Sequence, residues 1–260
     1  AYSRLKKLTT AAPRSVAWSA IPLAFVALLV CTAAARSTLD HRPVNPSTVA
    51  FSPDTLVNSL PLNSLYSVAY AVYELSHEDQ GFPYGDVDAA TSLAKQRDAM
   101  GLTPGKFPDA QIPTLHYQSA TMHPERPQNL VIIVEESLGA EFVGALGGLP
   151  LTPNLDRWAD EGIWLERLYA TGTRSARGLE AIVTGFPPTT SQSVLKLGRA
   201  QQDFFTLGNF LRRQGYETSF IYGGEAQFDN MKRFFANNGF TTVIDKHDFD
   251  NAVFYGSWGA

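Results

Sequence analysis

Glu135, Glu136 and Ser137 follow directly on the apolar run Leu130-Val131-Ile132-Ile133-Val134. Two acids in that position read either as a solvated strand end or as ligands for a hard cation, because carboxylate oxygen suits Mg²⁺ or Mn²⁺. Further along stands Thr171-Gly172-Thr173-Arg174-Ser175-Ala176-Arg177-Gly178-Leu179-Glu180, running on to Val183-Thr184-Gly185. A loop rich in glycine and hydroxyl groups, leading into a helical run, places a serine at a helix N-terminus. There the backbone N–H groups and the helix dipole favour an anionic oxygen and a bound phosphate or sulfate. Arg174 and Arg177 add charge complementary to such a group. The plainer reading is N-capping by Thr173 or Ser175. A serine hydroxyl attacks well only when a base or a metal activates it.

Elements that could hold these groups are visible on either side. The run 130–134 has the continuous apolar character of a buried parallel strand. Thr152-Pro153 opens an amphipathic stretch through Leu155, Trp158 and Ile163, with Thr152 as N-cap and Pro153 at the first helical position. Phe204 to Arg213 reads as a helix stopped by Gly215. Thr218 to Tyr222 reads as a strand, Asn230 to Ala236 as a helix and Thr241 to Ile244 as a further strand. Strands alternating with helices predict an α/β fold with a mostly parallel sheet, and ligands then sit beyond the carboxyl ends of the strands.

Upstream the chain changes character. Ser15 to Ala35 carries no charge and includes Ile21, Leu23, Phe25, Val26, Leu28, Leu29 and Val30. About 20 such residues span a bilayer core, so a transmembrane helix is expected over 15–35. A buried core helix and a signal peptide are the alternatives. Arg4, Lys6, Lys7 and Arg14 precede the segment, which assigns 1–14 to the cytoplasm and everything beyond Arg36 to the outside. Residues 36–128, punctuated by Pro43, Pro46, Pro53, Pro61, Gly81, Pro83, Gly85, Pro104 and Pro108, read as a linker and irregular connector. Asn63 to Leu75 is its one helical candidate, through Leu65, Val68, Ala69, Val72 and Leu75. Across all 260 residues the formal charge is −4, which argues against a nucleic-acid partner. The single cysteine, Cys31, excludes a disulfide framework and a CxxC zinc site, and reads as a small hydrophobe.

Asn129 to Glu136, then Thr152-Pro153-Asn154-Leu155-Asp156, then the Ser175 loop, resemble the sulfatase and alkaline-phosphatase superfamily over residues 129–260. Sulfatases carry Cys/Ser-x-Pro-Ser/Ala-Arg with Thr-Gly nine residues after its first residue. Registering on Thr184-Gly185 puts Ser175 at the nucleophile position, while the Pro and Arg positions hold Arg177 and Leu179. A hydroxyl nucleophile, Glu-Ser after the first strand and an upstream apolar segment are similar to the branch of membrane-anchored phosphoglycerol transferases of lipoteichoic-acid-synthase type. That branch usually carries Thr where this chain has Ser175. The resemblance implies an alkaline-phosphatase-like fold preceded by a transmembrane helix, in the plasma (inner) membrane with its catalytic domain on the extracytoplasmic, periplasmic side. It implies a divalent cation, Mn²⁺ first and Mg²⁺, Ca²⁺ or Zn²⁺ next, held partly by Glu136 and Ser175. Glu136 is preferred to Glu135 because it directly precedes Ser137. Tyr222-Gly223-Gly224 and Phe228-Asp229-Asn230-Met231 fit a substrate-side loop, so Tyr222, Asp229 and Asn230 join Arg174 and Arg177 as substrate-binding candidates.

The reaction so implied moves a phosphoglycerol-type head group from a membrane lipid to a glycan through a phosphorylated Ser175. Hydrolysis of a sulfuric or phosphoric ester is the first rival, and a non-catalytic membrane-tethered remnant the second. The family completes its metal site with a downstream Asp-His pair, and no Asp-His dipeptide follows Ser175. Asp245-Lys246-His247-Asp248 has those residue types without the adjacency, so His247 is expected to be a loop histidine. Tyr255-Gly256-Ser257-Trp258-Gly259 looks like a family segment cut short. With Ala1 in place of Met, this suggests the first part of a larger catalytic domain, inactive by itself.

Overall fold

The computed structural model describes residues 20–36, 38, 43–77, 87–101, 106–109, 115–116, 126–186, 189 and 191–250. Segment 1–14, Ser15 to Ser19 of the apolar stretch, His41, His123 and the final Tyr255 to Gly259 lie outside them. The helices are α1 (Ala20–Arg36), α2 (Thr55–Ser59), α3 (Ser64–His77), α4 (Ala89–Ala99), α5 (Pro153–Glu161), α6 (Ser175–Thr184), α7 (Leu207–Arg213) and α8 (Met231–Asn237). Strands β1 (Ser219–Ile221) and β2 (Thr242–Ile244) pair in parallel, with Ser219 opposite Thr242 and Ile221 opposite Ile244. Helix α8 makes the crossover between them, as a parallel pair requires.

Packing concentrates around this βαβ unit. Phe234 and Phe235 of α8 are fully buried with Leu195, beside Val183, Val194, Ala200 and Met231. Phe220 of β1 stacks on Phe235 with centroids 3.7 Å apart, and Phe240 meets Phe235 edge-on at 4.9 Å. Asn238 is also fully buried, because backbone groups use its whole amide: Nδ2 donates to Ala200 O at 2.9 Å and Oδ1 accepts Phe204 N–H at 2.8 Å. That second bond explains why α7 starts later than the predicted Phe204. The Phe204 amide is spent on Asn238, and Thr206 caps the helix by accepting Asn209 N–H at 3.1 Å. Gly215 ends the segment at φ 87, a left-handed turn that a side chain would strain.

Two expectations need correction. The run 130–134 pairs with no strand among the described residues, and its side chains are exposed, from 47% at Ile132 to 78% at Val131. Apolar continuity encodes a preference for burial, but a strand also needs a neighbour to receive its ladder. The described sheet therefore has two strands. The connector contains helix α4, capped by Asp88, whose side chain accepts Thr91 N–H at 2.9 Å. Its Ala, Lys, Gln and Arg are strong helix formers that leave no apolar stripe to read. No described helix is long and apolar enough to cross a membrane: α1 covers 17 residues, about 25 Å at the usual rise. The apolar residues of α1, Cys31 included, are exposed.

The connector is also stitched to the βαβ unit. Ser47, fully buried in the short turn Pro46–Val49, accepts Arg233 N–H at 2.9 Å, and Asn45 Nδ2 donates to Gln227 O at 2.9 Å. Helix α3 starts one residue after the predicted Asn63 and runs past the predicted Leu75, with Tyr66 hydroxyl donating to Val44 O at 3.1 Å.

Candidate functional site

Helix α6 begins at Ser175, with Arg174 in the extended N-cap position and no side-chain capping bond. Neither Thr173 nor Ser175 caps the helix, so the serine hydroxyl is available for another use. Its Oγ donates to Glu136 Oε2 at 2.6 Å, while Ser137 Oγ donates to Glu136 Oε1 at 3.3 Å. The structure thus brings together Glu136 and Ser175, the two residues expected to share a cation. Both are exposed, and Ser137 turns the backbone at φ 57 just after Glu136. Such a conformation in a non-glycine residue recurs where local geometry serves a site.

The elements around this pair explain its neighbours. Thr152 sits at the N-cap of α5, but its hydroxyl donates to Phe142 O at 3.4 Å, and Asp156 Oδ1 accepts Ala145 N–H at 2.8 Å. The Thr-Pro-Asn-Leu-Asp run therefore ties α5 to the loop that leaves Glu136. Gly185, at φ 67, terminates α6 and donates its N–H to Ala181 O at 2.9 Å. The Thr184-Gly185 register mark is a helix stop.

The remaining candidates divide. Arg174 is exposed beside Ser175. Arg177 turns inward: its guanidinium bonds Glu180 Oε1 at 3.1 Å, Thr189 O at 3.0 Å and Ser191 O. Those donors hold the Thr189 and Ser191 carbonyls in place of the expected substrate contact, because Glu180 is buried beneath them and needs a cation. Tyr222 continues from β1, its N–H donating to Ile244 O at 2.9 Å and its ring stacked on Phe220. Asp229 and Asn230 are consecutive left-handed residues at the entrance to α8, φ 51 and φ 59, with Asp229 Oδ1 2.9 Å from Lys196 Nζ. Lys196 and Glu180 were missed in the sequence. An isolated Lys and a mid-helix Glu give no signal until the fold supplies their partners. His247 lies exposed in the short turn Lys246–Asp248, as expected of a loop histidine, and Asp245 caps that turn by accepting His247 N–H at 2.9 Å.

Glu136 and Ser175 offer two hard oxygen donors within contact of one another, chemistry that fits Mg²⁺ or Mn²⁺. Among the described residues no three His, Cys, Asp or Glu side chains converge, so these two alone make a partial coordination set. A cavity of about 460 Å³ lies elsewhere, against Asp156, Asp160, Trp164 and Glu166, and holds none of these residues. The hydrogen bond marks the chemistry better than the concavity does, because the pair sits on the surface.

The family profile for sulfatases matches residues 128–258. The chain belongs to the sulfatase family. Phosphoglycerol transferase I of Xanthomonas euvesicatoria pv. vesicatoria is 29% identical to this sulfatase-family chain over 153 residues, 55% of the chain and 22% of the relative. The protein of the same name from Xanthomonas axonopodis pv. citri matches equally, at 29% over 153 residues. The chain thus spans about a fifth of the length of the curated relatives it matches. A crystal structure of a protein in the alkaline phosphatase superfamily from Vibrio parahaemolyticus is 50% identical, with a TM-score of 0.60 over 68% of this chain and 42% of that one. The fold is that of the alkaline phosphatase superfamily, α/β with helices and a small parallel sheet.

Proposed function

We propose that the chain carries the nucleophile of a metal-dependent phosphotransferase that moves a phosphoglycerol-type head group from a membrane lipid to a glycan. The 2.6 Å bond between Ser175 and Glu136 carries this reading, and the relatives named phosphoglycerol transferase I support its substrate class. Ser175 Oγ attacks the phosphorus of the lipid head group. A bond from Oγ to phosphorus forms, the bond from phosphorus to the diacylglycerol oxygen breaks, and that oxygen leaves with a proton as diacylglycerol. A glycan hydroxyl then attacks the same phosphorus and frees Ser175, so that the head group ends on the glycan.

Glu136 holds the hydroxyl proton along the hydrogen bond and fixes the position of Oγ. The N-terminus of α6 favours negative charge on Oγ and on the incoming phosphoryl oxygens. Arg174, exposed next to Ser175, supplies a guanidinium for those oxygens. A divalent cation bound by Glu136 and Ser175, Mn²⁺ first in order, would lower the hydroxyl pKa and screen the phosphoryl charge. Tyr222, Asp229 and Asn230 form the loop assigned to the head group. The apolar stretch 15–35 anchors the chain in the plasma membrane, with Arg4, Lys6, Lys7 and Arg14 on the cytoplasmic side and the catalytic region outside, facing its lipid donor.

The test uses vesicles of phosphatidylglycerol labelled in its head group, Mn²⁺ and a glycan acceptor. Label in the glycan, and on the Ser175 peptide when acceptor is withheld, supports transfer; unchanged turnover by Ser175→Ala sinks it. The sulfatase profile favours a second reading, hydrolysis of a sulfuric or phosphoric ester with water as acceptor. Label appearing as free glycerol phosphate, with none in glycan, would favour that reading.

A further inference from the structure

We propose that Lys196 is a positioning residue that ties the Asp229–Asn230 loop to the Ser175 helix and cancels the charge of Asp229. This rests on the head-group reading above. Asp229 (φ 51, ψ 27) and Asn230 (φ 59, ψ 17) are consecutive non-glycine residues in the left-handed region. That region disfavours side chains, Asn and Asp less than others, and persists only where surrounding contacts impose it. Lys196 grips both residues. Its ammonium lies 2.9 Å from Asp229 Oδ1, and its carbonyl accepts the longer 3.5 Å bond from Asn230 Nδ2.

Lys196 is itself fixed. It closes the turn Val194–Lys196, where Val194 N–H donates to the buried carboxylate of Glu180 at 2.5 Å. Ser193 Oγ, just ahead of that turn, donates to Ala176 O at 3.0 Å. Glu180 and Ala176 both belong to α6, and Ala176 is the residue after Ser175. A continuous set of bonds therefore runs from the serine helix through residues 193–196 to the loop assigned to the head group. The charge matters as much as the geometry. Asp229 is mostly buried, with 16% of its side chain exposed, and a bare carboxylate there would repel an anionic head group. The Lys196 ammonium neutralises it with one of three N–H donors and stays partly in solvent, at 36% exposure.

The test compares the parent chain with Lys196→Met, Lys196→Arg and Lys196→Met/Asp229→Asn. Amide hydrogen exchange at residues 228–232 should quicken about tenfold in Lys196→Met, return to parent values in Lys196→Arg and leave residues 219–221 unchanged. Unchanged exchange in 228–232, or equal acceleration across both segments, overturns the positioning role. Binding of glycerol 1-phosphate in the presence of Mn²⁺, followed by NMR titration, gives the second readout. A parent that binds it, a Lys196→Met that binds about tenfold more weakly and a double variant that recovers part of the loss support charge cancellation. A double variant as weak as the single overturns that role, since Lys196 would then contact the anion itself. A parent that fails to bind glycerol 1-phosphate removes the head-group reading, and with it the charge role, while the exchange result still decides whether Lys196 holds the loop.

Discussion

Ser175 Oγ and Glu136 Oε2 lie 2.6 Å apart although 39 positions of sequence separate the two residues. Both are exposed, so their pairing owes little to burial and each can be replaced without leaving an orphaned group inside. Glu136→Gln should lower Mn²⁺ affinity at least tenfold in calorimetric titration and shift stability by no more than about 0.5 kcal/mol. Ser175→Thr, which keeps the hydroxyl, should bind Mn²⁺ nearly as well as the parent, and Ser175→Ala should not. Parent-like affinity in Glu136→Gln would remove the carboxylate from the site.

The Arg177–Glu180 pair should behave in the opposite way. Glu180 is 1% exposed and accepts from both Arg177 and the Val194 backbone. Its loss takes the carboxylate from the Arg177 guanidinium and strands the buried Val194 N–H, so Glu180→Ala should cost about 3 kcal/mol in urea unfolding. A cost below about 1 kcal/mol would show that solvent reaches the pair.

Asn238 offers a test of the βαβ core without any charge. Its amide serves Ala200 O and Phe204 N–H, and its own carbonyl accepts from the Thr206 hydroxyl. Asn238→Ala keeps the last of these and abandons the first two. Unfolding should become easier by about 2 kcal/mol, with Asn238→Asp recovering only the bond from Phe204.

Alkaline pH should loosen the contact of α3 with the rest of the chain. The Tyr70 phenol is pushed up to about 12, by burial first and by the nearby Glu74 carboxylate second. Below the ordinary value of 10.0, folded and unfolded chains both keep the proton and stability is complete. As pH climbs through that value the unfolded chain loses its proton first, so stability falls until the folded phenol ionises as well. Urea midpoints taken from about pH 9 to pH 11 should fall less steeply in Tyr70→Phe than in the parent. Equal slopes would mean that Tyr70 titrates alike in both states.

How far these features were legible depends on the range of the forces behind them. β1, α8 and β2 fell within a residue or two of their predicted bounds, because a short apolar run, an amphipathic helix and a second run each declare themselves locally. The pairing of Glu136 with Ser175 came from a resemblance, since nothing in the spacing of two exposed polar residues requires them to meet. The run 130–134 misled because its composition describes an environment, and the described residues do not supply that environment. Helix α4 escaped notice for the converse reason: propensity builds it, and no packing face advertises it. Arg177 looked like an anion ligand until the buried Glu180 beneath it was known.

The stitch between Ser47 and Arg233 has a consequence for the birth of the chain. Those partners are 186 residues apart, so a ribosome adding 5–20 residues per second separates them by roughly 10–40 s. Through that interval Ser47 and Asn45 have emerged without the backbone groups they will bind. Closing so large a loop is among the slowest steps in forming a small α/β unit. The early connector must therefore remain unattached, and accessible to chaperones and proteases, until nearly all of the βαβ unit has been made.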